Sequence, residues 1–535
     1  MDAGHEAEGA VTGPPQGRHR PEPGPLPPDA VRSGSGPTGR GAGRPCFISS
    51  FPAFDMLRVG ISTQTPPLHP NLSRKMPGIG RVWRRGRDYE PSVGGVVPMM
   101  RALLRAGGGR WMDPHPLWVA AGMPGWPGEI RTNEGFRAAF AILAEEQRAG
   151  YSAFKQAIWD AIHEMAPFRF LVSDYRSFLE FGQTMAARQL DYRDEVDLYY
   201  VNDFQQIQVG PLVGPAAPAV LRWHIPFRMQ NLPDPFRRFF LKSIEGFDGI
   251  VVSTRRDLEA LLRQGYTGRA VQIYPYIDPT EHPPVPPNSV AAFRDRFDLG
   301  DRPVLLCVAR MDPQKRQDLL VQAFARVRRS HPEALLLLVG NGSFSSSPAG
   351  GLGSSVGPMW RRRLEAQVRR LGLSNSVRFT GYLPGADLAA AYAAATALVL
   401  PSPLEGFGLV GVEAWVHGRP IVVTAGSGIS EVVQPEVNGL VAAPGSVSDL
   451  SRHIERLLSE PEAAQLMGRQ GLLASRSFHA GPATERLKEF FREIVDEYSN
   501  ASTGSGRRVP VRSPAPSSAR RPRRHAERVG PGPGP

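Results

Sequence analysis

Short apolar runs alternate with stretches of helical spacing along most of this chain. Leu57–Ser62, Leu117–Ala121, Asp197–Val201, Val220–Phe227 and Gly249–Ser253 read as strands, each short enough to be buried in a sheet. Asn133–Leu190 reads as largely helical, with apolar residues at Phe136, Phe140 and Leu143 and again at Phe154, Ile158 and Ile162. Thr254 is placed to cap the helix that follows the fifth strand. A second series begins with a strand at Pro303–Ala309, a helix over Gln317–Arg329 and a strand at Leu335–Val339. A helix at Trp360–Leu371, a strand at Val377–Gly381 and a helix at Asp387–Ala395 continue it. A strand at Thr396–Leu400, a helix carrying Leu409, Val412, Trp415 and Val416, and a strand at Arg419–Thr424 come next. Helices over Ser446–Ser459 and Glu460–Ala474 and an amphipathic helix over Thr484–Tyr498 close the series. Strands alternating with helices argue for parallel sheets and an α/β fold.

The interruptions divide the chain. Its 535 residues allow two or three domains. Residues 1–50 are rich in Gly, Pro and Arg and are expected to be a disordered tail. Residues 51–280 and 281–480 are expected to form two α/β domains, joined through the Pro-rich Pro279–Ser289. A helix at 481–499 and a disordered basic tail at 500–535 would follow. Pro66–Pro91 reads as a basic loop, and Ser343–Pro358 as a flexible Gly/Ser-rich insertion.

Composition excludes some classes. No apolar run reaches the ~18 residues of a membrane span, so no membrane partner is expected. The N-terminus lacks the pattern of a signal peptide. Cys46 and Cys307 are the two cysteines, too few for a disulfide framework, so a cytoplasmic location is expected. The net charge is +12, and the eight Arg and one Glu between Arg507 and Arg528 supply +7 of it. Nucleic acid is expected as a partner only through that tail, if at all, and a solvated disordered tail is the plainer reading. A homo-oligomer is left open.

The densest chemistry lies in Thr396–Val433. Pro401 and Pro403 end a strand, and Glu405-Gly406-Phe407-Gly408 then opens a helix through Leu409 to Glu413. A helix starting near Phe407 would point free N–H groups at an anion such as phosphate. Gly406 and Gly408 would let backbone approach a ligand. Glu405 and Glu413 have seven residues between them, roughly 10 Å along a helix axis. That suits a ligand with hydroxyls at both ends and a diphosphate between them; two solvent-facing carboxylates are the alternative. Arg310 and Lys315 follow a strand in a loop broken by Pro313, where both could grip one phosphate group. Gly94 and Gly95 form a turn ahead of an apolar helix, and such a turn can cradle phosphate or sugar hydroxyls. Asp203 and His224 each end a strand, the edge where open α/β sheets bind ligands.

Glu405-x(7)-Glu413 with Gly-Phe-Gly inside it, followed by Gly418-Arg-Pro-Ile-Val-Val and Gly428-Ile-Ser-Glu-Val-Val, resembles the donor-site signature of retaining glycosyltransferases of the GT-B fold (glycosyl transferases group 1). Arg310-x(4)-Lys315 resembles the pair that grips the donor diphosphate in those enzymes, and Gly94-Gly95 resembles their glycine loop. Asp203 in Tyr-Val-Asn-Asp-Phe-Gln-Gln and His224 in Trp-His-Ile-Pro-Phe resemble the acceptor-side motifs of trehalose-phosphate synthases and trehalose glycosyltransferring synthases. Those families carry His-Asp where this chain has Asn202-Asp203, and whether the acceptor bears phosphate stays open.

The resemblance implies two Rossmann-like domains facing across a cleft, with the nucleotide-sugar donor on the second and the acceptor on the first. The closing helix would pack back on the first domain. It implies a hexosyltransferase that moves a hexose, with glucose expected, to a sugar or sugar-phosphate acceptor with retention, in trehalose or trehalose-phosphate synthesis. Glu405 would bind hydroxyls of the donor sugar, Glu413 the ribose, backbone at Gly381–Leu383 the base, Asp203 the acceptor and His224 the transferring glucose. No metal and no cofactor beyond the nucleotide sugar, a co-substrate, would be required. A trehalose phosphorylase using phosphate and an inactive sugar-binding protein remain the alternatives.

Overall fold

The computed structural model describes residues 56–71, 81–92, 94–341 and 356–502. The expected N-terminal tail, residues 72–80 of the basic loop, residues 343–355 of the expected insertion, and 503–535 lie outside the described residues.

The first half runs β1(Val59–Thr63), β2(Leu68–Pro70), β3(Val82–Trp83), β4(Tyr89–Pro91), α1(Val96–Gly107), β5(Leu117–Gly122), β6(Glu129–Thr132), β7(Arg137–Ile142), α2(Glu145–Ile162), α3(Val172–Leu190), β8(Leu198–Asn202), α4(Val209–Val213), β9(Ala219–Trp223), α5(Asp234–Ile244), β10(Gly249–Val252), α6(Arg255–Arg263) and β11(Ala270–Gln272). Nine of these strands form one sheet in the order β11-β10-β9-β8-β1-β5-β7-β6-β3. Its ladders are parallel except between β6 and β7. β2 and β4 pair as a small antiparallel ribbon, so the segment read as a loop carries short strands.

The second half runs α7(Pro287–Arg296), β12(Val304–Val308), α8(Gln317–Val327), β13(Leu335–Val339), α9(Val356–Arg370), β14(Val377–Gly381), α10(Gly385–Ala394), β15(Ala397–Leu400), α11(Leu409–Val416), β16(Ile421–Thr424), β17(Gly439–Ala442), α12(Val447–Ser459), α13(Pro461–Ser475) and α14(Ala480–Ser502). Its six strands are all parallel in the order β14-β13-β12-β15-β16-β17. That is the doubly wound order, with a reversal of direction between β12 and β15.

Both sheets are covered on both faces, which is why their strands read as continuous apolar runs. In β13, Leu336 and Leu338 join the core packed under α8. Leu335, Leu337 and Val339 point the other way, into the core shared with α10 and α11. The same physics explains one departure from the sequence reading. The spacing of Phe136 and Phe140 predicts helix from residue 133, yet Arg137–Ile142 is a strand. Ala138–Ala141 are all buried between two helical layers, and a strand buried on both faces has no alternation to reveal it.

Helix α14 ends the described chain but packs on the first half. Leu487, Phe491 and Ile494 lie in the core formed by α1 and one face of the first sheet. The Phe491 ring sits 4.9 Å from Tyr200 and 6.3 Å from Trp111, edge-on to both. The Tyr498 hydroxyl donates to the Gly214 carbonyl at 2.9 Å. Phe491 is fully buried, so Phe491→Ala should cost about 3–5 kcal/mol, read as a drop in the denaturant midpoint of the first half. A loss below about 0.5 kcal/mol, the range of surface substitutions, would mean that α14 only rests on that half.

Candidate active site

In an open parallel sheet, neighbouring strands whose connections leave in opposite directions open a crevice at their C-terminal ends. The second sheet has this point between β12 and β15. Arg310 and Lys315 follow β12, and the Glu405–Gly408 loop follows β15. The first sheet has it at β1, flanked by β5 and β8; Asn202 ends β8 and Asp203 follows.

Lys315 and Glu405 form the central ion pair, Nζ to Oε2 at 2.5 Å, with side chains 12% and 19% exposed. Burial works to raise the Glu405 carboxyl. Lys315, assisted by His163 and Arg310, overrides it and holds the group below the ordinary range. Asp312 fixes the loop by accepting from the Gln314 N–H at 3.0 Å and lies 3.5 Å from Arg310. Gln317 donates to the Arg310 carbonyl at 2.7 Å and accepts from the Trp360 indole at 2.9 Å. Arg310 and Lys315 therefore leave a backbone that is tied down on both sides.

The Glu405 loop is pressed against the first half. A Cβ on Gly406 would lie 2.3 Å from the His224 carbonyl oxygen, and one on Gly428 would lie 2.2 Å from that of Gly406. Neither site admits any other residue without backbone movement. Arg256 of the first half donates to the carbonyls of Gly426 at 2.8 Å and Glu405 at 3.2 Å. Glu431 accepts the Arg255 and Arg256 N–H groups, each at 2.9 Å, and so caps α6 across the interface.

Asp203 has φ 71°, a conformation uncommon for a residue with a side chain. Its carboxylate accepts from the Phe204 N–H at 3.0 Å and the His224 N–H at 3.4 Å. Burial pushes it up to about 6, against the pull of those two bonds. His224 Nε2 is 2.9 Å from the Asn202 side-chain oxygen. The Asn202 amide nitrogen donates to the carbonyls of Ser62 and Tyr200, so its oxygen faces the histidine. Nε2 carries the proton in this network, and Nδ1 is left as an acceptor. Burial, with Arg222 nearby, keeps the ring neutral, well below the usual histidine range. Asn202, the departure from the family pattern, thus sets the tautomer of His224.

Helix α2 adds a wall that the sequence reading missed. Tyr151, Lys155, Trp159 and His163 recur every four residues, one helix face. The Arg310 guanidinium lies 5.7 Å from the centroid of the Trp159 ring, whose other partner is the stacked His163 ring at 4.1 Å. Burial drops His163 to about 4, and it feels Lys315, Glu405 and Arg310. Burial, then Arg310, lowers Lys155 to about 8, with Asp203 acting the other way. The core spacing of Phe154, Ile158 and Ile162 was visible; the neighbouring row, whose first member Tyr151 shares that core, had no motif to mark it.

The other candidates take these places. Gly408, with φ 105°, is the N-cap of α11, so the helix starts at Leu409, two residues later than the spacing suggests. Leu409 packs against the core, and Phe407 is buried against Tyr274 and Phe478. Glu413 accepts from the Tyr392 hydroxyl at 2.6 Å, and Tyr392 stacks on His417 at 5.5 Å. Gly381 has φ 73° and accepts from the Gly340 N–H at 2.8 Å. The Leu383 side chain is in the core. Gly94, with φ 128°, and Gly95 lead into α1. Among the described residues, no helix is long and apolar enough to cross a membrane.

Residues 291–472 match the family model "Glycosyl transferases group 1". A GDP-mannose-dependent alpha-(1-6)-phosphatidylinositol monomannoside mannosyltransferase of Mycolicibacterium smegmatis is 31% identical over 192 residues, 35% of this chain and 46% of that protein. A D-inositol 3-phosphate glycosyltransferase of Segniliparus rotundus is 30% identical over 277 residues, 50% of this chain and 57% of that protein. The chain thus spans about half the length of these curated relatives. The solved α,α-trehalose 6-phosphate synthase of Burkholderia multivorans superposes with a TM-score of 0.65 at 19% identity, covering 85% of this chain and 100% of that one. The architecture is GT-B, and residues 291–472 are a glycosyl transferases group 1 domain.

Proposed function

We propose that this chain is a retaining hexosyltransferase that moves glucose from a nucleotide diphosphate sugar to a sugar or sugar-phosphate acceptor, in trehalose or trehalose-phosphate synthesis. The observation that carries the reading is the Lys315–Glu405 pair, held beside Arg310 and backed onto His224 through the bare Gly406. Donor-binding cations and an acceptor-side histidine and aspartate share one cleft.

In this reading Arg310 and Lys315 stabilise the charge that grows on the departing diphosphate. Glu405, kept ionised by Lys315, accepts hydroxyls of the donor sugar with its remaining lone pairs. Glu413, oriented by Tyr392, takes the ribose. The N–H groups at the start of α11 add positive potential. Asp203 orients the acceptor hydroxyl. The bond from the sugar C1 to the diphosphate oxygen breaks, and the bond to the acceptor oxygen forms on the same face. The acceptor proton passes to a diphosphate oxygen. Packed cations supply the electrostatic work, so no metal is required.

A second reading, transfer of mannose or another hexose to a cyclitol phosphate, is favoured by the names of the curated relatives. The deciding assay is release of nucleoside diphosphate from UDP-, GDP- and ADP-glucose and from GDP-mannose, with glucose, glucose 6-phosphate and inositol phosphate as acceptors. Release with glucose or glucose 6-phosphate supports trehalose chemistry; release only with the cyclitol phosphate favours the second reading. Phosphorolysis of trehalose without any nucleotide would make the chain a phosphorylase instead.

Three outcomes are expected with the productive pair. Lys315→Ala and Glu405→Gln should each lower kcat about 10²–10³-fold, the scale of losing one transition-state contact, in steady-state kinetics. EDTA should leave the rate unchanged. Finally, kcat/KM should rise with pH through about 6 as Asp203 loses its proton. A raised carboxyl is protonated, and unable to accept from the acceptor hydroxyl, below that value. Asp203→Asn should flatten that limb and lower its plateau.

A further inference from the structure

The two cations that follow β12 are held in different ways. Lys315 is committed to Glu405, at 2.5 Å. Arg310 has the Asp312 carboxylate at 3.5 Å, and among the described residues its guanidinium donates no hydrogen bond. It lies instead over the Trp159 ring, with the guanidinium carbon 5.7 Å from the centroid. Trp159 belongs to α2 of the first half, whereas Arg310 belongs to the second.

The ring is itself tied down. His163, one turn later, stacks on it at 4.1 Å. The His163 Nδ1–H donates to the Trp159 carbonyl at 2.8 Å, since a carbonyl can only accept. Burial drops His163 to about 4, so near neutral pH the imidazole adds no positive charge beside Arg310.

A guanidinium can be fixed by hydrogen bonds, which occupy its N–H donors. An aromatic face fixes it differently: the ring attracts the charge and leaves the donors open. The second arrangement suits a cation whose fork of donors must meet an incoming anion. It also lowers the cost of binding, because a long side chain held in place beforehand loses less freedom when the anion arrives.

We propose that Trp159 is a positioning residue for Arg310, holding the guanidinium with its donors free for the diphosphate of a nucleotide, so that the first half completes a binding site carried by the second. The identity of the anion rests on the glycosyltransferase reading; the positioning of Arg310 by the ring does not.

The test is calorimetric titration of the full chain with UDP, GDP and ADP. Trp159→Leu should weaken the tightest of the three about 3- to 30-fold, the scale of a partly desolvated cation–π contact. Trp159→Phe keeps an aromatic face and should retain most of the affinity. Beside Arg310→Gln, Trp159→Leu should have no further effect, because the contact it removes is already gone. A ring that merely supports the fold would give the same loss with or without Arg310. The proposal is overturned if Trp159→Leu leaves the affinity unchanged, if it weakens binding equally beside Arg310→Gln, if Trp159→Phe is as weak as Trp159→Leu, or if none of the nucleotides binds. An Arg310-dependent loss without hexose transfer from any donor would leave the positioning role standing and remove the glycosyltransferase reading. Hexose transfer with no effect of Trp159→Leu would do the reverse.

Discussion

Two backbones meet at Gly406, and the rest of the site depends on how closely they do. Each half ends its strands at a crevice, and the two crevices face one another only because the halves meet here. The missing side chain at Gly406 lets the Glu405 loop seat against the His224 carbonyl, and the missing one at Gly428 lets a second loop seat behind it. Arg256 and Glu431 then tie the two halves with hydrogen bonds to backbone groups. Each of these bonds has a backbone group on one side, so the join needs only the Arg256 and Glu431 rotamers, and the Glu405 side chain takes no part in it.

This close approach also dries the site, and drying explains its electrostatics. Burial opposes ionisation throughout: it raises Asp203, lowers His163 and His224, and lowers Lys155. Glu405 goes the other way only because Lys315 is in direct contact. In a medium of low effective dielectric, each unmatched charge is expensive and each matched one is strong.

Legibility in the sequence followed the source of each residue's constraint. The second half was readable because its chemistry is tied to the backbone: Arg310 and Lys315 must follow one strand, and Glu405 and its glycines another, so spacing preserves them. The first half was partly readable, through Asp203 and His224 at strand ends. Its strand at Arg137–Ile142 looked helical, because two-sided burial erases alternation. Asn202 looked like a loss from the family pattern, whereas it fixes the His224 tautomer. Tyr392 behind Glu413 and Glu431 across the interface were invisible, since their partners are distant in sequence.

The α2 face shows why the first half is the harder inference. A nucleotide diphosphate is one shape for many enzymes, so a fold can hold it with residues at fixed offsets from its strands. An acceptor differs from enzyme to enzyme, and the residues that choose it must be free to differ too. Helix α2 is carried between β7 and β8 in a helical pair that the doubly wound pattern does not require. Tyr151, Lys155 and Trp159 share a face only once the helix exists, and Trp159 meets Arg310 only once the halves are together. A contact such as that between Trp159 and Arg310 is thus a product of the assembled cleft, and no motif marks it.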